Sequence, residues 1–217
     1  MTLKNKYNRI KPQIKRKLKK ERSDKKMQGI GIGISDFKML RLRDNYYIDK
    51  TMYIKDIIDN QSGVVLITRP RRFGKTLNMS MLKYYFDINQ KDSKELFQGL
   101  KIMEQEEKYT SKLGANPVIY VTLKDAGLQN YEYMIMQMKT IMMEVYYEHR
   151  HIIKSDKILE GEKNIFKRIT SATATDIDLI NSLKVLSKKL YAYYEKPVIL
   201  LIDEYVVPIQ TAYVEGY

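Results

Sequence analysis

The stretch TRPRRFGKT, residues 68–76, decides the fold class because its second half fits a phosphate-binding loop. Such loops follow the pattern G-x-x-x-x-G-K-[ST], which Gly74, Lys75 and Thr76 complete, while Arg69 occupies the position of the first glycine. Glycine lets backbone N–H groups approach an anion, the lysine reaches the β and γ phosphates, and the threonine hydroxyl can bind magnesium. The stretch indicates an ATP site with an unusual entrance, unless Gly-Lys-Thr is a chance match in a lysine-rich chain.

The flanking residues predict the strand and the helix that such a loop connects. The run VVLIT, residues 64–68, is short, apolar and rich in β-branched side chains, which is typical of a buried strand. Beyond Gly74, one helical face carries apolar residues: Leu77, Met81, Leu82, Tyr85 and Ile88. A strand, a loop and a helix in this order bring the helix N-terminus to the anion.

The first part of the loop contains three arginines, Arg69, Arg71 and Arg72, and Arg69 stands at the position of the missing first glycine. Guanidinium groups add charge and paired donors around a polyphosphate, so anion binding can survive the loss of that glycine. Pro70 would stiffen the loop. Alternatively, the arginines face solvent or bind an acidic partner.

A second motif lies near the end of the chain, in PVILLIDEY, residues 197–205. Residues 198–202 predict a strand, and Asp203 and Glu204 follow it. Asp203 would hold magnesium, and Glu204 would orient and deprotonate an attacking water. The alternative is a pair of solvated charges after an edge strand, but two carboxylates on a buried strand are costly without a cation.

The other patterned segments complete an α/β fold with a mostly parallel sheet. A helix is predicted over about residues 51–60 and a buried strand over 117–123. A capping box at Thr175 and Asp178 begins a further helix. The buried face of that helix carries Leu179, Leu183, Leu186 and Leu190. Residues from about 150 to 173 are weakly determined. A further helix has a stripe that we assign to core packing: Tyr131, Met134, Ile135, Met138, Ile141, Met142 and Val145.

The positive charge is concentrated in one part of the chain. Residues 1–28 hold twelve Lys or Arg and two acidic residues, a net +10 of the +13 that all 217 residues carry. We expect a basic, solvated tail over residues 1–28 and one domain over residues 29–217. The tail is either a nucleic-acid contact or a disordered leader.

Composition excludes several function classes. The chain has no cysteine, so disulfides and thiolate metal sites are ruled out. His149 and His151, the two histidines, are expected to be ordinary helix-end or surface residues rather than metal ligands. No apolar run could span a bilayer or serve as a secretory signal, so we expect an intracellular, cytoplasmic protein without a membrane partner. The oligomeric state is left open.

Several stretches in order resemble the AAA-ATPase-like domain family, whose members are often joined to a PD-(D/E)XK nuclease-like domain. They are GIGISDF, NYYIDKTMYIKDII, VVLITRPRRFGKTLNMSMLKYYFD, LFQGLKI, PVIYVTLKD and LLIDEYVVPIQTAY, between residues 29 and 217. The family's loop has the form R-P-R-R-F-G-K, so the resemblance implies a P-loop NTPase fold in which Arg69 is ordinary. It also implies that ATP and Mg²⁺ are the ligands.

Roles carry over residue by residue from this resemblance. The cofactor-binding loop would comprise Arg69, Arg71, Arg72, Phe73, Gly74, Lys75 and Thr76. Thr76 and Asp203 would hold the metal, and Glu204 would be the catalytic base. Val206 departs from the family pattern D-E-Y-D-x-P, which makes efficient hydrolysis questionable.

The resemblance also implies a further strand between residues 64–68 and 198–202, which the thirteen residues after Glu204 do not supply. We therefore expect the N-terminal part of a longer ATPase, with an incomplete sheet. Three hypotheses follow: a Mg-ATP-binding protein with weak or lost hydrolysis, a nucleic-acid-associated basic module, and a degenerate fragment without activity.

Overall fold

The computed structural model describes residues 29–43, 45–60, 62–70, 72–90 and 93–217, apart from the side chain of Glu162. The predicted basic tail and Arg71 therefore lie outside the described residues. Within them the chain is an α/β protein with two parallel strands. None of the helices in these ranges combines the length and apolarity required to cross a bilayer.

Helices dominate the described part of the chain. In chain order they are α1 (Phe37–Leu42), α2 (Met52–Asp59), α3 (Lys75–Phe86), α4 (Ser93–Phe97), α5 (Glu107–Thr110), α6 (Tyr131–Glu148), α7 (Glu160–Thr170), α8 (Asp176–Tyr194) and α9 (Val207–Glu215). Short 3₁₀ turns cover Lys101–Glu104, Lys124–Ala126 and Arg150–Lys154. The strands are β1 (Val118–Thr122) and β2 (Ile199–Asp203).

The two strands pair in parallel, with Val118 opposite Ile199 and Thr122 opposite Asp203. A parallel pair needs a long crossover, which α6, α7 and α8 supply here. Both strands lie within one residue of their predicted positions, so the expectation of a parallel sheet is confirmed for these two strands. Their carboxyl ends meet at one edge, where Asp203 lies.

The sheet separates two hydrophobic cores. Val118 and Leu201 belong to the first, which we call the N core, together with Tyr85, Phe97 and Ile102. Ile119 and Val121 belong to the second, the C core, with buried residues of α6, α7 and α8 that include Tyr146, Phe166, Leu186 and Leu190. Successive side chains of a strand point to opposite faces, so β1 contributes to both cores in alternation.

The prediction of a buried strand over residues 64–68 is wrong. None of these residues is in a strand, and Val64 is 86% exposed. Only Ile67 packs against the N core. A β-branched run shows a preference for extended backbone, but a strand also needs a hydrogen-bonded neighbour. Within the described residues β2 pairs with β1 alone.

Most helix predictions agree with the structure. The predicted helices correspond to α2, α3, α6 and α8, and the capping box of α8 has both of its hydrogen bonds, between the Thr175 side chain and the Asp178 backbone and in the reverse direction. Two residues assigned to buried helical faces are wrongly placed: Tyr131 is exposed at the start of α6, and Ile88 follows α3. Helices α1, α4, α5, α7 and α9 were not predicted.

Candidate nucleotide site

The predicted loop ends at a glycine whose backbone is left-handed. Gly74 has φ 75° and ψ 27° and is the N-cap residue of α3. A left-handed backbone strongly favours glycine. Glycine has no side chain that could cap this helix, so the N-cap residue supplies no side-chain acceptor to the first N–H groups of α3. A Cβ built on Gly74 would meet nothing within 4 Å, so there is open space beside the loop.

The charged and aromatic loop residues lie around that space. Arg69, Arg72 and Phe73 are exposed, and Lys75 and Thr76 are half-buried. Lys75 forms no ion pair with any residue in the described ranges. The loop therefore presents unneutralised positive charge next to the uncapped start of α3.

Asp203 ends β2 as a buried carboxylate that is only half satisfied. Asp203 is 5% exposed. Oδ1 accepts a hydrogen bond from the backbone N–H of Glu204 at 3.1 Å. Oδ2 is buried and has no hydrogen-bond partner among the residues that the structure describes. A buried carboxylate oxygen without a partner is costly, and a cation is one group that would compensate it.

Backbone strain also marks both motifs. Among the residues that the structure describes, four non-glycine residues have positive φ: Arg72, Ala172, Glu195 and Glu204. Glu195 directly follows α8 and Ala172 lies two residues after the end of α7, where left-handed residues are common. Arg72, with φ 68°, and Glu204, with φ 54°, have no such explanation. Strain of this kind costs about 1–3 kcal/mol per residue and concentrates at functional sites.

The two motifs rest on the same core. Helix α3 contacts β2, and Leu77, next to Thr76, packs against the N core, to which Leu201 belongs. No hydrogen bond or ion pair joins Lys75 or Thr76 to Asp203 within the described residues. Helix α3 therefore packs against the strand that ends in Asp203, without a hydrogen bond or ion pair between the two motifs in the described residues.

The sequence patterns did not single out two tyrosines, Tyr84 and Tyr120, that lie near this region. Burial, and then the Asp203 and Asp36 carboxylates, raise the pKa of Tyr120 to about 12. The hydroxyl of Tyr84 donates to Asp36 Oδ2 at 2.8 Å, while Asp36 Oδ1 accepts from Met39 N–H at 2.7 Å and so caps α1. The SDF part of GIGISDF therefore attaches the start of the domain to α3, and an Asp before an apolar run was the available signal.

Val206 stands at the start of α9, where its apolar side chain cannot cap the helix. It is the N-cap residue of α9 and makes no side-chain cap. Helix α9 packs closely on the chain beyond β1, because a Cβ on Gly127 would lie 2.6 Å from Thr211 Oγ1 and 2.7 Å from Val207 Cγ1. The Tyr217 hydroxyl donates to the Leu128 carbonyl oxygen. This packing fixes the segment that follows Glu204.

The histidines differ from each other. His149 is the C-cap residue of α6, as expected for a helix-end residue, but it is 3% exposed. Neither of its ring nitrogens has a hydrogen-bond partner in the described ranges. Burial lowers its pKa. His151 is exposed, and its Nε2 lies 2.7 Å from the Tyr194 hydroxyl. No group of three or more metal-ligating side chains is present in the described ranges.

The chain is an α/β protein with a parallel sheet. It has a helix that begins at a left-handed glycine before Lys-Thr, and a strand whose last residue, Asp203, precedes Glu204. Residues 31–216 match the family described as Predicted AAA-ATPase, and the chain belongs to this AAA-ATPase-like family. The resemblance found in the sequence is therefore confirmed. The association with a nuclease-like domain stays a prediction.

One curated relative shares a shorter region. Over 75 residues, 34% of this chain, the sequence is 37% identical to an "Uncharacterized protein in vnfD 5'region" of Azotobacter chroococcum mcd 1. The matched stretch covers 14% of that relative's length. No solved structure matches the chain.

Proposed function

We propose that this chain binds Mg-ATP through the start of α3 and the end of β2. Family membership suggests nucleotide chemistry in general. The observation that carries the finer proposal is the buried Oδ2 of Asp203, which has no partner among the described residues and lies at the end of the strand against which α3 packs. The N-cap of α3 is a glycine, so it has no capping side chain. One group lacks a cation and the other lacks an anion, and a metal-bound polyphosphate would satisfy both.

The residues present fit magnesium. Mg²⁺ prefers oxygen ligands, often takes one or two carboxylates, and keeps several waters. Asp203 Oδ2 would hold it, directly or through water, and the Thr76 hydroxyl would supply a second oxygen. When bound, the ion would neutralise charge on the phosphate oxygens. Because Oδ1 is held by the Glu204 N–H, Oδ2 is the free oxygen of the carboxylate.

The loop would hold the polyphosphate. The N–H groups of Lys75 and Thr76 would donate to phosphate oxygens, and the Lys75 ammonium would reach the β and γ phosphates. Arg69 and Arg72, both exposed, would add paired donors from the entrance. Arg71 and Phe73 are proposed for the same loop from the family's pattern.

Hydrolysis is the finer part of the proposal. Glu204 would orient and deprotonate the attacking water, and its left-handed backbone fixes its direction relative to Asp203. The Val206 side chain cannot assist with a charge. We therefore propose ATP binding with slow hydrolysis.

A thermal melt with and without millimolar Mg-ATP tests binding. Ligand at about 100 times its dissociation constant stabilises by roughly 2.7 kcal/mol. In a domain of this size each kcal/mol moves the midpoint by about 2–4 °C. We expect a shift in the wild type and none in Lys75→Ala. Lys112→Ala is the matched control, since Lys112 is exposed and lies in the turn after α5. A Lys75→Ala shift equal to that of the control would refute the proposal.

The net charge of +10 on residues 1–28 supports a second candidate function, which is contact with nucleic acid. Such binding would be sequence-independent and would weaken steeply with salt. Deleting residues 1–28 should abolish binding to a duplex oligonucleotide and leave the Mg-ATP shift intact. Binding that survives the deletion, or does not respond to salt, would contradict it.

A further inference from the structure

Helices α7 and α8 enclose a groove on the C core side of the molecule, separate from the proposed nucleotide site. It has a volume of about 310 Å³ and is lined by Ile165, Ile177, Asp178, Asn181, Lys184, Val185 and Lys188. We call this the α7–α8 groove. A second cavity of about 310 Å³ follows along α8, lined by Ser187, Lys188, Tyr191 and Val198. Lys188 belongs to both, so the two form one continuous band.

The outer face of α8 carries this band at helical spacing. Ile177, Asn181, Lys184, Lys188 and Tyr191 recur every three or four residues and therefore share one face. The opposite face, with Ser182, Leu186 and Leu190, is buried in the protein. At about 1.5 Å per residue the band is about 21 Å long, which matches about four turns of a second helix.

Two apolar side chains of this surface are left largely exposed by the described part of the chain. Ile177 is 73% exposed and Ile180 is 80% exposed. Ile165 and Val185 line the groove and are half-buried. Scattered exposed apolar residues are normal, but Ile165, Ile177 and Val185 line one groove, and Ile180 lies about one turn along α8 from Ile177. A concave apolar lining of this kind is the arrangement of a docking site.

The charge of the groove identifies the kind of partner. Asp178 is neutralised by Arg168, whose guanidinium donates to both carboxylate oxygens at 2.7 and 2.9 Å. Lys184 and Lys188 are exposed and form no ion pair with any residue that the structure describes. The groove therefore combines an apolar lining with two uncompensated positive charges at its rim.

We propose that the α7–α8 groove binds an amphipathic helix of a partner protein, with apolar residues on the facing side and Asp or Glu at the flanks. Apolar anchors would occupy the groove between Ile165, Ile177 and Val185. Carboxylates would pair with Lys184 and Lys188. A nucleic acid fits less well, because hydrated phosphates gain nothing against the isoleucine and valine side chains that line the groove.

Fluorescence anisotropy on the full chain tests this proposal. The probe is a labelled peptide of four Glu-Leu-Leu-Glu repeats, about as long as the band, and the second probe replaces each Glu with Lys. We expect the acidic peptide to bind with a dissociation constant on the order of 10 μM. Lys184→Glu/Lys188→Glu should weaken that binding at least tenfold, by about 1.4 kcal/mol or more, and should favour the basic peptide.

The control must account for the basic tail, which would also attract an acidic peptide. Lys94→Glu/Lys112→Glu makes the same charge change at exposed lysines outside the groove and keeps the tail. It should bind like the wild type. Ile177→Asp/Ile180→Asp should weaken binding as the groove lysine pair does. The proposal is overturned if the groove and control variants bind equally, if no saturable binding occurs, or if a duplex oligonucleotide binds the groove in preference to the peptide.

Discussion

The backbone N–H of Glu204 donates to Asp203 Oδ1 at 3.1 Å, which leaves Oδ2 buried without a partner. The left-handed backbone of Glu204 accompanies this contact. One oxygen thus fixes the turn after β2 while the other stays free. A protein that only needed stability would not retain both a strained residue and an unsatisfied carboxylate there.

The first prediction concerns this carboxylate. Asp203→Asn should abolish the stabilisation by Mg-ATP without lowering the stability of the free protein by more than about 1 kcal/mol, because it removes a buried charge that lacks compensation. Urea unfolding with and without Mg-ATP measures both quantities. A large loss of stability in the free protein would show that Asp203 is structural.

The second prediction concerns Val206 at the N-cap of α9. Val206→Asp should raise the free energy of unfolding by about 0.5–1 kcal/mol, because an aspartate can accept a hydrogen bond from the first turn of the helix. Val206→Ala is the control, since alanine cannot cap. Equal stability of the two variants in urea unfolding would count against a capping role.

The third prediction compares two glycines. Gly127→Ala should cost about 1–3 kcal/mol, because the new methyl group would overlap Thr211 and Val207 of α9. Gly161→Ala in α7 has open space and should stabilise by up to about 1 kcal/mol. Thermal melts of both variants measure the difference. An unchanged Gly127→Ala protein would mean that α9 is not held against this turn.

The fourth prediction concerns the buried imidazole of His149. Burial lowers its pKa, with Glu148 and Asp87 favouring the charged form and His151 and Lys83 opposing it. The unfolded chain, with an ordinary histidine pKa near about 6.5, therefore binds the proton more readily than the folded one. The contribution of neutral His149 to the free energy of unfolding is therefore present above that pH and is lost as the pH falls below it.

Replacement by a non-titrating ring tests this dependence. His149→Phe should flatten the decline in stability below about pH 6.5, by at most about 1.4 kcal/mol per pH unit. His151→Phe, at an exposed histidine, should leave the decline as in the wild type. The measurement is urea unfolding at several pH values. A wild-type slope in His149→Phe would assign the decline to other groups.

The features that could be predicted from sequence are those set by neighbouring residues. The Thr175–Asp178 capping box depends on a three-residue spacing, and β1 and β2 follow from short apolar runs after Pro117 and Pro197. The glycine of the loop is equally local, because its left-handed backbone is a property of one residue. These predictions did not require knowledge of the remaining fold.

The features that failed depend on distant partners. Residues 64–68 have strand propensity, but none of them is in a strand. Helix α7 was missed because its buried residues, Phe166 and Ile169, are few among charged ones. The burial of His149, and the choice of Oδ2 as the free oxygen of Asp203, arise from packing that no local pattern records.

The position of β1 between the two cores has a consequence for hydrogen exchange. Its residues alternate between the N core and the C core, whereas Leu200 and Ile202 of β2 remain partly exposed. Opening either core alone would leave β1 supported on its other face. Its amide protons should therefore exchange with deuterium last, after those of β2, and their exchange should report the unfolding of the whole domain.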